Sequence, residues 1–215
     1  MLRVARRSAV KARTQAANQL DSLLVTAPDQ LRAQLRGLAP GRLVEVAASL
    51  RPGELASPVA ATKLALRELA RRHQALTAEL DRLDSHIAKL APKASATLLA
   101  RRGVGPQTAA GLLVAAGDNP DRLRSEAAFS MLRGSSPIEA SSGKTTRHRL
   151  NRGGDRQANN ALWVTALSRM ASDQPTKDYV ERRTKQGKSK KDIIRCLKRY
   201  TAREVYRDLK AAIAT

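Results

Sequence analysis

LRELARRHQALTAELDRLDSHIAKL, from Leu66 to Leu90, decides the fold. Leu66, Leu69, His73, Leu76, Leu80, Leu83, Ile87 and Leu90 follow one another at alternating steps of three and four, the spacing of a heptad seam. One helix cannot bury such a stripe by itself, so this one must pair. A partner lies upstream: between Met1 and Leu24, the residues Leu2, Ala5, Ala9, Ala12, Ala16, Leu20 and Leu23 recur at helical spacing with Arg and Lys between them. An intramolecular helical hairpin is expected, with a second protomer as the other way of covering the seam. His73 is read as a polar residue tolerated on the seam and not as a ligand.

Outward from the seam, Pro28, Pro40, Pro52 and Pro58 punctuate residues 27 to 60, which read as a connector of short helical pieces. Pro92 is expected to end the long helix, dividing the chain into a helical linker with a coiled coil over 1–92 and a second domain over 93–215. In that second part, Ser125 caps a helix that closes near Gly134. Asp155 or Gly154 opens another, with Ala158, Leu162, Ala166 and Met170 on one face. Ser189 and Asp192 have capping-box spacing ahead of a final basic helix striped by Ile193, Leu197, Tyr200, Val205 and Leu209. No βαβ alternation occurs. The expected class is mainly α: a long helical hairpin or coiled coil followed by a small helical domain.

The 215 residues carry 40 Lys and Arg against 19 Asp and Glu, a formal charge of +21. Such a balance repels itself unless a polyanion neutralises it, and DNA is the expected partner. A membrane is not expected, because the longest apolar run, Ala109 to Ala116 with one glycine, is too short to cross a bilayer. The N-terminus lacks the pattern of a secretory signal, and a cytoplasmic, nucleoid-associated protein is expected. Cys196 is the sole cysteine and the histidines are scattered, so no metal site and no cofactor is expected in this chain. With aromatic residues at 2%, stacking cannot be the main mode of binding, and the phosphate backbone should dominate.

Three segments carry the chemistry. Leu99 to Ala109 resembles a helix-hairpin-helix element, in which Gly103 and Gly105 permit a tight turn, Pro106 opens the next helix and exposed amides suit a phosphate. An ordinary helical turn is the plainer alternative. Gly143-Lys144-Thr145 looks like the end of a nucleotide-binding loop, but Ile138 stands where that pattern needs its first glycine. What remains is Ser141-Ser142-Gly143 on a flexible turn facing Lys144, Arg147, His148, Arg149, Arg152 and Arg156. A serine attacking a phosphodiester needs a proton acceptor and cations for the charge building on phosphorus, and the segment offers both; a basic loop that only binds DNA fits equally well. A second basic tract runs from Arg182 to Lys210 with 12 Lys and Arg against three acids, and includes Tyr200 and Tyr206. It suits a DNA-tracking helix.

Taken in order, Gly103-Val104-Gly105-Pro106, Gly117-Asp118, Arg122-Leu123-Arg124-Ser125, Gly134-Ser135-Ser136-Pro137, Ser141-Ser142-Gly143-Lys144, Asn151-Arg152-Gly153-Gly154-Asp155-Arg156 and Asn159-Asn160-Ala161-Leu162 closely resemble the C-terminal domain of bacterial transposases of the DEDD type. These are the bridge-RNA-guided recombinases of the insertion-sequence-one-hundred-and-ten family. The resemblance covers residues 95 to 210, and Met1 to Leu90 looks like the family's helical linker. It implies Ser142 as the nucleophile, with Ser141 as the alternative. It also implies that Lys144, Arg147, Arg149, Arg152 and Arg156 hold the scissile phosphate and its neighbours, with His148 beside them.

The family's RuvC-like domain uses three Asp and one Glu to hold Mg2+. Here the acids before residue 95 (Asp21, Asp29, Glu45, Glu54, Glu68, Glu79, Asp81 and Asp84) lie in helical or connector sequence. That domain is therefore expected to be missing, the chain to be an N-terminally truncated transposase, and Mg2+ to belong only to the missing part. Implied partners are DNA, a structured guide RNA, and either a further copy or an intact transposase. The expected function is transposition by serine attack with the missing domain supplied in trans. A catalytically inactive DNA-binding regulator and a nucleoid-type architectural protein are the alternatives. If six to ten phosphates are neutralised, affinity for DNA measured by fluorescence anisotropy should fall by roughly 10³ to 10⁵ between about 50 and 200 mM salt. A flat response would contradict the assignment to DNA.

Overall fold

The computed structural model describes residues 1–117, 123–145, 148–149 and 151–213. It is mainly helical and divides into two compact units, Met1–His86 and Ile87–Thr215.

The first unit contains α1 (Leu2–Val25), α2 (Asp29–Leu35), α3 (Pro40–Ala48) and most of α4 (Pro58–Ala94). Within it α1 and α4 run antiparallel as the expected hairpin. Arg6, near the start of α1, forks onto Asp84 of α4 with Nη2 to Oδ2 at 3.0 Å, while Leu20, near the other end, shares a core with Leu66 and Ala70. Residues 27 to 60 are more than a connector, because Leu31, Leu35, Leu43, Ala47 and Leu50 belong to that same core. Three of their four prolines start helices: Pro28 caps α2, and Pro40 and Pro58 open α3 and α4, where a missing amide donor costs nothing, while Pro52 lies in the loop between α3 and α4.

The seam departs from the sequence reading toward its end. Leu66, Leu80 and Ile87 are buried, but Leu90 is 52% exposed, and Ala70 and Ala91 are buried instead. A helix of 3.6 residues per turn drifts from a 3.5-residue repeat, so over three heptads the buried line moves to the next position. Pro92 does not end α4, which continues to Ala94. So close to the helix terminus the proline forfeits little beyond its own donor, and Ser95 N–H still reaches Ala91 O at 3.0 Å.

The second unit contains α5 (Ala96–Leu99), α6 (Pro106–Ala116), α7 (Glu126–Leu132), β1 (Ile138–Glu139), β2 (His148–Arg149), α8 (Arg156–Ser172), α9 (Gln174–Lys185) and α10 (Lys190–Ile213). Leu98, Leu112, Leu123, Phe129, Leu162, Val205 and Leu209 form its main core. Ala166, Ile193 and Leu197 form a smaller one with Met170, Tyr179 and Val180. Tyr200, placed on the inner stripe of α10 by its periodicity, is instead 45% exposed. Steps of four from Ile193 through Leu197, Thr201, Val205 and Leu209 bury Thr201 and leave its neighbour outside. Tyr206 does turn inward, its hydroxyl donating to Leu123 O at 2.8 Å and its ring 5.7 Å from that of Phe129. It is a packing residue, and the DNA-tracking tract keeps only Tyr200.

The junction from α7 to α8 is a backbone weld. Gly134 follows α7 at φ +63, with Ser135 N–H to Ser130 O at 2.9 Å and Gly134 N–H to Met131 O at 3.0 Å, the paired bonds of a Schellman motif. Asn151 Nδ2 donates to Met131 O at 3.1 Å, Asp155 N–H to Leu132 O at 2.8 Å, and Asn159 Nδ2 to Gly134 O at 3.3 Å. Asp155 then caps α8 by accepting from Gln157 and Ala158 N–H at 2.8 and 3.0 Å. Gly154 lies against this turn so closely that a Cβ there would stand 2.1 Å from Gly134 N and 2.6 Å from Arg133 C.

Two outcomes follow from these contacts. Gly154→Ala should lower unfolding free energy by about 1 to 3 kcal/mol or more, the cost of forcing atoms into a packed site; an unchanged denaturation midpoint would contradict the weld. In the hairpin, burial and then the charge of Arg13 hold His73 below its ordinary value. The unfolded chain therefore binds the proton more readily, and stability should be full above about pH 6.5 and decline as pH falls toward the folded value. Thermal melts of His73→Gln should show less of this acid loss than the parent.

Candidate nucleic-acid interface

The final helix arranges its cations by period. On α10, Arg195, Arg199 and Arg203 recur at four-residue steps, about 6 Å of rise each, while Ile193, Leu197, Thr201, Val205 and Leu209 bury the opposite face. Ser189 caps this helix, accepting from Asp192 N–H at 3.2 Å and donating to Asp192 Oδ2 at 2.6 Å. Before it, α9 ends in a second Schellman turn. Gly187 at φ +77 sends its N–H to Thr184 O at 2.9 Å, and Lys188 N–H reaches Arg183 O at 3.1 Å. The sequence reading missed α9, although Asp173-Gln174-Pro175-Thr176 carries its signal. Asp173 caps it by accepting from Thr176 N–H at 3.1 Å and Oγ1 at 2.6 Å, and Pro175 sits in the first turn.

These elements and the loop after α7 enclose a cleft of about 490 Å³. Arg149, Arg183, Lys188, Arg195, Lys198, Arg199 and Arg203 line it with His148, Ser135, Ser136, Cys196 and Tyr200, and Asp192 is the one carboxylate among the described lining residues. Part of this charge is paired. Arg195 meets Asp192 at 2.6 Å, and Glu126 of α7 takes both Arg199 and, at 3.5 Å, Arg203 Nε. Arg149, Lys188 and Lys198 form no ion pair among the described residues; Lys198 donates to the neutral Asn159 amide oxygen. Burial, and then Arg195, push the Lys198 ammonium below the ordinary lysine value, and burial, then Arg203, lower Arg199. A bound phosphate would offset each of these costs. The Arg183 Nε is buried without a hydrogen-bond partner among the described residues.

The Ser141–Ser142 segment, read from sequence as a flexible turn, is the end of a β-hairpin. Ile138 pairs with Arg149 and Glu139 with His148, and Ser142 pairs with Thr145 in the same register. Ser142 and Thr145 exchange both backbone bonds at 3.1 Å around the two-residue loop Gly143-Lys144. With Gly143 at φ +56 and no positive φ at Lys144, this is the II′ pattern that suits strand twist. Alternation along the hairpin puts Ser142 on the face of Ile138 and Arg149, and Ser141 on the face of Glu139 and His148. Both serines and Lys144 are exposed.

Of the residues singled out from sequence, the cleft gathers His148 and Arg149. Ser141, Ser142 and Lys144 stand at the hairpin tip, and Arg152 and Arg156 are exposed at the start of α8; none of these lines the cleft. Arg147 lies outside the described residues. Gly103, at φ +77, is a close-approach glycine, since a Cβ would meet Thr165 O at 3.1 Å and Arg169 Cγ at 3.2 Å. Arg169 Nε also takes the Arg102 carbonyl at 2.8 Å, tying this turn to α8. Gly105 is exposed at the cap of α6, away from the cleft. The cations that do meet there, on α9, α10 and the turn between them, were legible only as a basic tract.

Among the described residues no three His, Cys, Asp or Glu side chains gather where they could hold a metal ion. Among the same residues no helix is long and apolar enough to cross a membrane. No curated protein matches the chain. Residues 95–181, which include the hairpin and its weld to α8 and stop short of α10, match the family model described as Transposase IS116/IS110/IS902 family.

Proposed function

We propose that this chain acts in DNA transposition of an insertion sequence, binding the phosphate backbone along the cation-lined cleft and presenting a serine of the adjoining hairpin to a phosphodiester. The observation that carries the binding half is the cleft itself: its lining cations greatly outnumber its one described carboxylate, and several face inward without an acidic partner. The family match supports the role in transposition. Cations so placed read charge and not base edges, so this contact positions a strand without choosing its sequence.

Ser142 is the proposed nucleophile and Ser141 the alternative. Its Oγ–H bond gives up a proton as Oγ bonds to phosphorus, one bridging phosphorus–oxygen bond to the sugar breaks, and the departing sugar oxygen takes up a proton. The hairpin register favours Ser142 for cationic help, because it shares a face with Arg149, whose guanidinium suits a phosphate losing its leaving group. The same proposal takes DNA as the main partner, a structured guide RNA as a second polyanion for the same cations, and an intact transposase or another copy of this chain as the protein partner.

One observation favours a second reading, a DNA-binding regulator without chemistry of its own. His148 lies on the hairpin face opposite Ser142, which leaves the better-placed serine away from the nearest imidazole.

Trapping separates the two. Incubated with nicked suicide DNA, with and without a full-length transposase of the family, the chain should form a covalent protein–DNA adduct that Ser142→Ala abolishes and Ser141→Ala retains. The reverse pattern would move the nucleophile to Ser141. No adduct under either condition, with DNA binding intact, would establish the regulator and overturn the catalytic proposal.

A further inference from the structure

We propose that the cleft accommodates an unpaired nucleotide, its base stacked on Tyr200 and its phosphate met by Arg195, Lys198 and Arg199. This inference rests on the nucleic-acid reading above and adds to it the form of the strand.

Aromatic side chains are scarce in this chain: three Tyr, one Trp and one Phe. Phe129 and Tyr206 are committed to the core, where they touch each other. Tyr200 is 45% exposed and lines the cleft, at a helix position where periodicity favoured burial. Its ring meets Tyr179 perpendicularly, at 89° with centroids 5.6 Å apart. Perpendicular contact with Tyr179 covers at most one face of Tyr200. Tyr179 is itself braced, with Arg182 and Arg183 within 5.4 and 5.8 Å of its ring, and burial and Cys196 push its hydroxyl up to about 12. The platform is thus supported from behind. Arg203 lies over the Tyr200 ring with its guanidinium carbon 6.0 Å from the centroid, a cation that a stacked base would meet as a second layer or displace.

An apolar ring inside a ring of cations is what a nucleotide requires, a flat base and an anion one bond system apart. The volume of about 490 Å³ lies in the range of small-molecule sites and suits one nucleotide. In a duplex each base is paired and stacked on its neighbours, and its face is unavailable to a tyrosine. An unpaired position offers that face without further cost.

The test uses fluorescence anisotropy at low salt with the full chain and four labelled strands of equal length: oligothymidylate, oligouridylate, an abasic strand and a blunt duplex. Tyr200→Ala should weaken binding of the base-bearing single strands about five- to 150-fold, leave the abasic strand and the duplex within about twofold, and be rescued by Tyr200→Phe. The tighter of the two base-bearing strands identifies DNA or RNA as the source. Unchanged binding of base-bearing strands, or an equal loss on the abasic strand, would overturn the stacking inference while leaving backbone binding intact. Failure of the parent chain to bind any of the four would instead overturn the nucleic-acid reading. Should Tyr200→Ala unfold, photo-cross-linking of strands carrying 5-iodouracil to the parent chain decides. The adduct is expected on the peptide containing Tyr200, and adducts found only elsewhere would reject the site.

Discussion

Asp208 fixes the helix on which the cleft is built. It is buried near the end of α10, and Arg101 grips it with two parallel bonds, Nε to Oδ2 at 2.8 Å and Nη2 to Oδ1 at 3.1 Å. One turn earlier Glu204 takes Arg169 of α8 at 2.8 Å. In a chain with 40 Lys and Arg and only 19 Asp and Glu, carboxylates are the scarce charge. Asp208 and Glu204 bond to neighbouring elements and dock the helix. Arg195, Arg199 and Arg203, earlier on the same helix, line the cleft. The same helix thereby attracts the rest of its unit on one side and concentrates positive potential on the other.

Glycine geometry sets the rest of the wall. Gly134 and Gly187 each end a helix in the left-handed conformation, and the residues that follow, Ser135, Ser136 and Lys188, enter the cleft lining. Gly154 allows the chain leaving the hairpin to pass against the first of these turns, with no room for a side chain. The Asn151-to-Asp155 motif therefore serves the backbone: its asparagine and aspartate occupy the free ends of α7 and α8. Arg152 in that stretch and Arg156 just after it are exposed cations.

Local signals in the sequence foretold local structure well. Ser125, Asp155 and Ser189 cap the helices their spacing announced, and the apolar face of α8 through Ala158, Leu162 and Ala166 is buried as its period required. The paired hairpin of α1 and α4 followed from the need to cover the seam. What escaped depends on distance along the chain or on small geometric drift. The hairpin at 138–149 has strands of two residues each, too short for an alternation signal. Leu90 and Tyr200 fell outside because a repeat read in whole steps ignores the fraction of a residue by which a helix rotates. The cleft joins His148 and Arg149 to cations some 40 or 50 positions later, a meeting that only the fold reveals.

In the cleft, bound phosphates would displace counterions. The most direct test is the slope of log affinity for duplex DNA against log salt, compared between Arg149→Ala, Lys188→Ala and Arg195→Ala on one hand and Arg13→Ala and Arg82→Ala in the helical hairpin on the other. Each cleft substitution should lower the magnitude of that slope by about one, as expected for one lost phosphate contact, while the hairpin substitutions leave it unchanged. Slopes that fall with the hairpin substitutions and hold with those in the cleft would contradict it.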